Sequence, residues 1–321
     1  MKGKAVLVAL IVLSLLVGAF ALGSYFGETP KPAPSGGNVV DNTPTTPPTP
    51  TVPHTETPSE QSTGTSEETE PTESPPEETV EVSELETACP GSLDNTKYGW
   101  GMRILPNHQI PDIGAKAKEL LDKYHAIFTG NTSEKVVYLT FDEGYEAGNT
   151  ANILDILKGN DVKAAFFITG AFVKSEPALV QRMVDEGHIV GNHTVNHVSL
   201  PTVSYEKAAD EINRLAQMYA EITNQKMKKY LRPPSGEYSE RSLCVTNALG
   251  YRTVFWSIAM ADWVPLKGGP DEAYNTVMSR LHNGAVILLH AVSPDDIQIL
   301  DKLIKDIKAQ GYRFGTLDEI P

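Results

Sequence analysis

The chain from Lys135 onward is predicted to fold as an α/β domain with parallel strands. Three observations predict it. Short β-branched or aromatic runs alternate there with amphipathic stretches at helical spacing. The helical stretches begin at capping residues and end near glycines. Seven strands separated by helices call for right-handed crossovers, because sequential parallel strands cannot be joined by a tight turn. A barrel and a doubly wound open sheet both satisfy this pattern.

The strands are expected at Val136–Phe141, Ala164–Thr169, His188–Gly191, Lys229–Leu231, Arg252–Ile258, Gly284–His290 and Tyr312–Gly315. Thr150–Lys158 follows Asn149 as a cap, and Glu176–Asp185 ends near Gly187. Tyr205–Thr223 follows Ser204, and Glu240–Leu249 follows Ser239 and stops at Gly250. Asp271–Leu281 comes next. Pro294–Gln310 has Ser293 as cap, Pro in its first turn, Asp296 in the capping-box position and Gly311 just past its end.

The rest of the chain is organised differently. Lys2 and Lys4 precede an apolar run, Ala5 to Leu22, which reads as a signal peptide cleaved near Ala19-Phe20-Ala21 or as an uncleaved membrane anchor. Either reading of residues 1–27 places the remainder of the chain outside the membrane. Residues 28–88 are Pro, Thr, Ser and Glu, with twelve Glu, Asp41 and only Lys31. Such a segment cannot bury enough apolar surface to offset its ordering entropy, so it is expected to be a disordered linker. Residues 89–134, with turn-like Tyr98-Gly-Trp-Gly101 and one helical stretch, Ala115 to Tyr124, are expected to pack on the domain as a lead-in. The net charge of −14 sits mostly in the linker, and no basic stripe exists to neutralise phosphates, which argues against a nucleic-acid partner. Cys89 and Cys244 could bridge in an exported protein, but a domain this size needs no staple. The expectation is two unpaired residues.

Ionisable residues gather where the strands end: Asp142 and Glu143, His193 and His197, Arg232, Asp262 and His290. Each alone has a bland reading as cap, ion pair or core group. Together they stand at the C-terminal ends of five strands, the face on which parallel α/β folds assemble their sites. His193-Thr-Val-Asn-His197 has a spacing that lets two imidazoles reach one metal.

Thr140-Phe-Asp-Glu-Gly144, His193-Thr-Val-Asn-His197, Arg232-Pro-Pro-Ser-Gly236, Asp262-Trp263 and Leu288-Leu-His290 resemble, in order and spacing, the five motifs of the NodB-type polysaccharide deacetylases, carbohydrate esterase family 4. The resemblance covers Lys135 to Ile320. Tyr138-Leu-Thr-Phe-Asp-Glu-Gly-Tyr-Glu146, Asp185-Glu-Gly-His188, Thr253-Val-Phe-Trp-Ser257 and Trp100-Gly-Met-Arg103 are similar to the delta-lactam-biosynthetic, muramic acid de-N-acetylases of spore formers.

The resemblance implies a distorted (β/α)7–8 barrel and hydrolysis of N-acetyl groups on peptidoglycan. The substrate it implies is N-acetylmuramic acid of peptide-stripped spore-cortex glycan. N-acetylglucosamine of the wall is the alternative, and a non-catalytic glycan-binding wall protein is the alternative of another class. It implies a divalent ion, zinc or another first-row transition metal, on His193, His197 and Glu143, where most relatives carry a second Asp. Asp142 would be the general base, with Arg232 and Asp262 as the charge pair that orients it, and His290 the general acid. Ser235 would offer its backbone N–H to the oxyanion, Trp263 would pack behind His290, and Tyr145 would meet the sugar.

Overall fold

Val136–Glu143 (β2) is buried along its whole length and pairs in parallel with three other strands, which makes it the axis of the fold. A strand covered on both faces reads as an unbroken apolar run, as Val-Val-Tyr-Leu-Thr-Phe does. The structure, a computed structural model, describes residues 82–321. The signal or anchor segment, 1–27, and linker residues 28–81 lie outside the described residues. Among those described, no helix is long and apolar enough to cross a membrane.

In chain order the elements are α1 (Val82–Ala88), β1 (Tyr98–Gly99), α2 (Ala115–Lys123), β2, α3 (Thr150–Gly159), β3 (Ala165–Ile168), α4 (Gly170–Ser175) and α5 (Pro177–Asp185). There follow β4 (Ile189–Asn192), α6 (Tyr205–Thr223), β5 (Tyr230–Leu231), β6 (Glu237–Tyr238), α7 (Glu240–Ala248) and β7 (Arg252–Thr253). The last are α8 (Gly269–Arg280), β8 (Ala285–His290), α9 (Pro294–Ala309) and β9 (Arg313–Gly315). The main sheet is parallel, in the order β7-β5-β4-β3-β2-β8, with β9 also on β2. It curls on itself. Beyond β7 the chain bridges to β8 at Ile258 and Ile287, where Ser257 and Ile258 N–H both donate to the Val286 carbonyl. The strand expected over Arg252–Ile258 therefore exists as a short ladder and then scattered bridges. These bridges close the distorted barrel.

Side chains alternate across β2 and divide the core. Val136 and Tyr138 point into the barrel beside Phe167, Tyr230 and Val286. Val137, Leu139 and Phe141 point outward, against Leu154 of α3 and Leu300 and Ile304 of α9. A third cluster joins α1, α2, α6 and α7 through Leu85, Leu120, Ile212 and Leu243.

Two expectations need correction here. Residues 82–88 are the helix α1, whose Leu85 is fully buried, so the linker gives way to structure before Ala88. Cys89 and Cys244 form a disulfide across 155 residues, because α1 lies against α6 and α7 and brings Cys89 to the buried side of α7. A third difference concerns α9. Ser293 Oγ accepts from Asp296 N–H, but the Ser293 N–H donates to the His290 carbonyl, so the reciprocal half of the capping box is not made.

The lead-in joins the sheet and the rim above it. Ile127 bridges Val254 in parallel, and β1 pairs antiparallel with β6. Trp100 stacks on Phe255, ring centroids 4.2 Å apart, and its Nε1–H donates to the Trp256 carbonyl at 3.0 Å. Replacing both Cys89 and Cys244 by Ser should lower stability by about 2–4 kcal/mol, the range for losing a native crosslink, without abolishing the fold. Denaturant unfolding of the oxidised protein and the double variant checks this.

Candidate active site

The barrel mouth at the C-terminal ends of β2, β4, β5 and β8 opens into a cavity of about 600 Å3. Asp142, His193, His197, Ser235, Trp263 and His290 line it, together with Tyr145 and Met260.

Asp142 is the last inward-facing residue of β2. Its Oδ1 accepts from Arg232 Nη1–H at 2.7 Å. Arg232 is fully buried at the end of β5 and spends its other donors inside the barrel. Nη2–H reaches Thr140 Oγ1 at 2.8 Å, and Nε–H reaches the Val254 carbonyl at 3.2 Å. The guanidinium also lies 4.2 Å from the Phe167 ring centroid. Burial pushes the Asp142 carboxyl up, but the Arg232 charge, helped by His290, outweighs it and holds the group below its ordinary range.

His193 follows β4. Its Nδ1–H donates to the Arg232 carbonyl at 2.8 Å, so the lone pair is on Nε2. That atom stands 3.6 Å from Asp142 Oδ2, an acceptor facing an acceptor. Burial lowers the His193 pKa to about 4 and keeps the imidazole neutral. The His197 ring lies 4.8 Å from it, nearly perpendicular. Two neutral imidazoles beside one cavity are donors suited to a divalent cation. Among the described residues no three His, Cys, Asp or Glu side chains already stand at ligating distances from one point.

Glu143 is not brought into this set. It shares the outward face of β2 with Val137, Leu139 and Phe141, and its carboxylate meets Thr150 Oγ1 at 3.4 Å. Adjacent residues in a strand point to opposite faces, so Asp142 and Glu143 cannot both face the cavity while β2 runs through them. Burial, with the Glu146 and Asp142 charges, pushes Glu143 well above the usual carboxylate range, against the Thr150 hydroxyl.

Asp262 also differs from its expected partner. Instead of joining Arg232 behind Asp142, it accepts from the backbone N–H and Nδ1–H of His290, both at 2.7 Å. Burial lowers the His290 pKa, but the Asp262 hydrogen bond and the Asp142 and Asp262 charges prevail and raise it. Trp263 lies edge-on to His290 with centroids 5.0 Å apart, and the residue is 58% exposed. Tyr145, which also lines the cavity, is 64% exposed.

Ser235 lies on the rim in the left-handed region, φ 56°, followed by Gly236 at φ 64°. A Cβ at Gly236 would sit 2.8 Å from the Trp256 ring and 2.9 Å from Trp100 Cβ, so only glycine lets the turn close there.

Sequence reasoning missed Glu211. It is fully buried on α6 and accepts from Asn196 N–H and Nδ2–H, both at 2.7 Å, which clamps the turn between the two histidines. A signal was present: Glu211 interrupts the apolar stripe of Ala208, Ile212 and Leu215.

The sequence profile described as Polysaccharide deacetylase matches residues 129–254. Over 230 residues the chain is 44% identical to the peptidoglycan-N-acetylmuramic acid deacetylase PdaA of Bacillus subtilis, covering 71% of this chain and 88% of that one. The solved structure of that protein, described as a family 4 carbohydrate esterase, superposes with a TM-score of 0.68 and 45% identity over 70% of this chain and 97% of its own. A family 4 carbohydrate esterase structure from Bacillus anthracis gives 0.61 and 39%, over 71% and 98% of the two chains. A peptidoglycan-N-acetylglucosamine deacetylase of Bacillus cereus is 34% identical over 68% of this chain and 84% of that one. The chain belongs to the polysaccharide deacetylase family, carbohydrate esterase family 4.

Proposed function

We propose that the protein hydrolyses the N-acetyl group of N-acetylmuramic acid in peptidoglycan, with Asp142 as general base and His290 as general acid. The observation that carries this is that Asp142, bonded to Arg232, and His290, bonded to Asp262, line one cavity together with His193 and His197. One dyad favours the deprotonated form of its reacting group and the other the protonated form, the division that amide hydrolysis needs.

Asp142 takes a proton from water as the water oxygen bonds to the acetamide carbonyl carbon. The tetrahedral intermediate then breaks its C–N bond while His290 gives its proton to the departing nitrogen. Acetate and an amino sugar result. Ser235, on the rim, supplies its backbone N–H to the oxyanion. His193 and His197 would hold a divalent ion, whose chemistry is to polarise the carbonyl and acidify water. Met260, Val292 and Leu288 give the cavity an apolar wall for the acetyl and lactyl methyls, and Tyr145 and Trp263 flank the sugar.

Identity supports the muramic acid reading: 44% to the Bacillus subtilis enzyme against 34% to the Bacillus cereus one. Deacetylation leaves an amine beside the lactyl carboxylate, where proximity favours closure to a lactam once the stem peptide is gone. The disulfide and the apolar N-terminal run support an extracytoplasmic location, with the linker as a spacer. Mass spectrometry of glycan incubated with the protein tests the substrate. Loss of acetyl, then of water, from muramic acid is expected. Deacetylation confined to N-acetylglucosamine overturns the muramic reading.

The ion ligands are tested by replacing His193 and His197 together with Ala. Bound metal and metal-stimulated acetate release should both disappear with the fold intact, while Glu143→Gln should leave metal stoichiometry unchanged. Loss of metal in Glu143→Gln would restore that residue to the ligand set.

The two dyads predict a bell-shaped rate profile. Asp142→Asn and His290→Ala should each cut kcat by roughly 10²–10⁴-fold, the usual reach of a general acid or base. Because His290 must be protonated and its pKa is raised, the alkaline limb should lie above the ordinary imidazole value of about 6.5. Asp262→Asn removes the charge that raises it, so that limb should move to lower pH as kcat falls. A limb that stays in place would separate Asp262 from His290.

A further inference from the structure

Behind the Asp262–His290 dyad lies a second carboxyl that the mechanism does not use. Asp296, in the first turn of α9, is 2% exposed, and neither of its side-chain oxygens receives a hydrogen bond from an N–H or O–H donor. It stands where a capping-box acid would reach back to the Ser293 N–H. That N–H is instead taken by the His290 carbonyl, and the Ser293 hydroxyl serves Asp296's own N–H. The groups facing the Asp296 carboxyl are the Asp262 carboxylate, the Ser293 hydroxyl and, more distantly, Asp295.

A carboxylate sealed from water, with only the Ser293 hydroxyl beside it as a donor and against another carboxylate, does not keep its charge. One of the two must take a proton. Asp262 accepts two hydrogen bonds from His290 and remains the anion; Asp296, which has none, becomes the acid. Burial and the neighbouring Asp262 carboxylate push its pKa upward, against the Ser293 hydroxyl.

We propose that Asp296 is a positioning residue for the general acid: as a neutral carboxylic acid it donates its proton to Asp262 and so pins that carboxylate against the His290 ring. Asp262 then accepts from three donors, the His290 N–H, the His290 Nδ1–H and the Asp296 O–H. With the carboxylate so held, the imidazole keeps the orientation that presents Nε2–H to the cavity. The proposal rests on reading His290 as the acid. The other charged or titratable groups that face His290 are Asp142 from β2, Arg232 from the end of β5 and His197 from the loop after β4, and the Trp263 ring flanks it.

Asp296→Val, which cannot donate, and Asp296→Asn, whose amide can, separate the roles. In Asp296→Val, kcat should fall about 10- to 100-fold with KM nearly unchanged, and the alkaline limb should move to lower pH. Asp296→Asn should restore most of the rate and the wild-type limb. Proton NMR should find the Nδ1–H of His290 strongly deshielded in the wild type and in Asp296→Asn, and lost to exchange in Asp296→Val. A valine variant with wild-type kcat, limb and resonance overturns the proposal, as does an asparagine variant that fails as badly as the valine one. Should the valine variant not fold, the infrared difference between wild type and Asp296→Asn at neutral pH decides. A protonated-carboxyl band lost in the variant supports the proposal, and its absence refutes it. If His290→Ala keeps full activity, the acid role falls, while the NMR and infrared measurements still report on the Asp296–Asp262 contact.

Discussion

A guanidinium buried in the barrel is the constraint around which the rest of the site is arranged. Arg232 has no exposed surface, so each donor it cannot give to water must find an acceptor in protein. It finds Asp142 and Thr140 on β2 and the carbonyls of Val254 and Phe255 beyond β7, while Phe167 of β3 covers its face. Thr140 in turn donates to the Ile287 carbonyl of β8. One side chain thus ties together the strands that form the cavity floor. Removing one partner of such a pair typically costs about 3–5 kcal/mol, because the other is left buried and unpaired. Lysine could not substitute, since a point charge cannot serve acceptors set along a planar fork.

The same arrangement explains how opposite proton states coexist within one cavity. Burial opposes ionisation of both Asp142 and His290. Each is rescued by a different partner, Arg232 for the carboxylate and Asp262 for the imidazolium. Between them His193 has a carbonyl on Nδ1 and only a carboxylate oxygen near Nε2, and it stays neutral. Neighbouring ionisable groups are therefore biased in three ways, Asp142 toward the anion, His290 toward the cation and His193 toward the neutral form. Each state is set by the hydrogen-bond partners that the backbone supplies.

Much of this is legible in the sequence, and the exceptions have physical causes. The strand ends carrying Asp142, His193, Arg232 and His290 are legible because parallel folds place their polar residues there. Glu143 is not, because the apolar run that marks β2 stops at Phe141 while the strand itself continues through Glu143, and strand parity then turns that side chain outward. The expected pairing of Asp262 with Arg232 fails because nothing in the sequence records which loop lies nearer to which carboxylate. The bridge from Cys89 to Cys244 depends on α1, a seven-residue helix whose composition merges with the acidic linker before it. Its one sequence signal, the apolar Val82 and Leu85 three apart, is too short to stand out from that background.

The lead-in shows why a motif list understates a site. Its Trp100 lies outside the 129–254 stretch matched by the family profile and does not line the cavity. Yet Trp100 stacks on Phe255, donates from its indole to the Trp256 carbonyl, and donates from its backbone N–H to the Gly236 carbonyl at 2.8 Å. The last of these bonds holds the turn, against which the Trp256 ring also packs. That turn keeps Ser235 in a left-handed conformation which an L-residue adopts only when its surroundings impose it. The Trp256 ring and the Trp100 Cβ pack against Gly236 beside it. Residues remote from the reacting atoms thus set the orientation of the Ser235 backbone at the cavity rim.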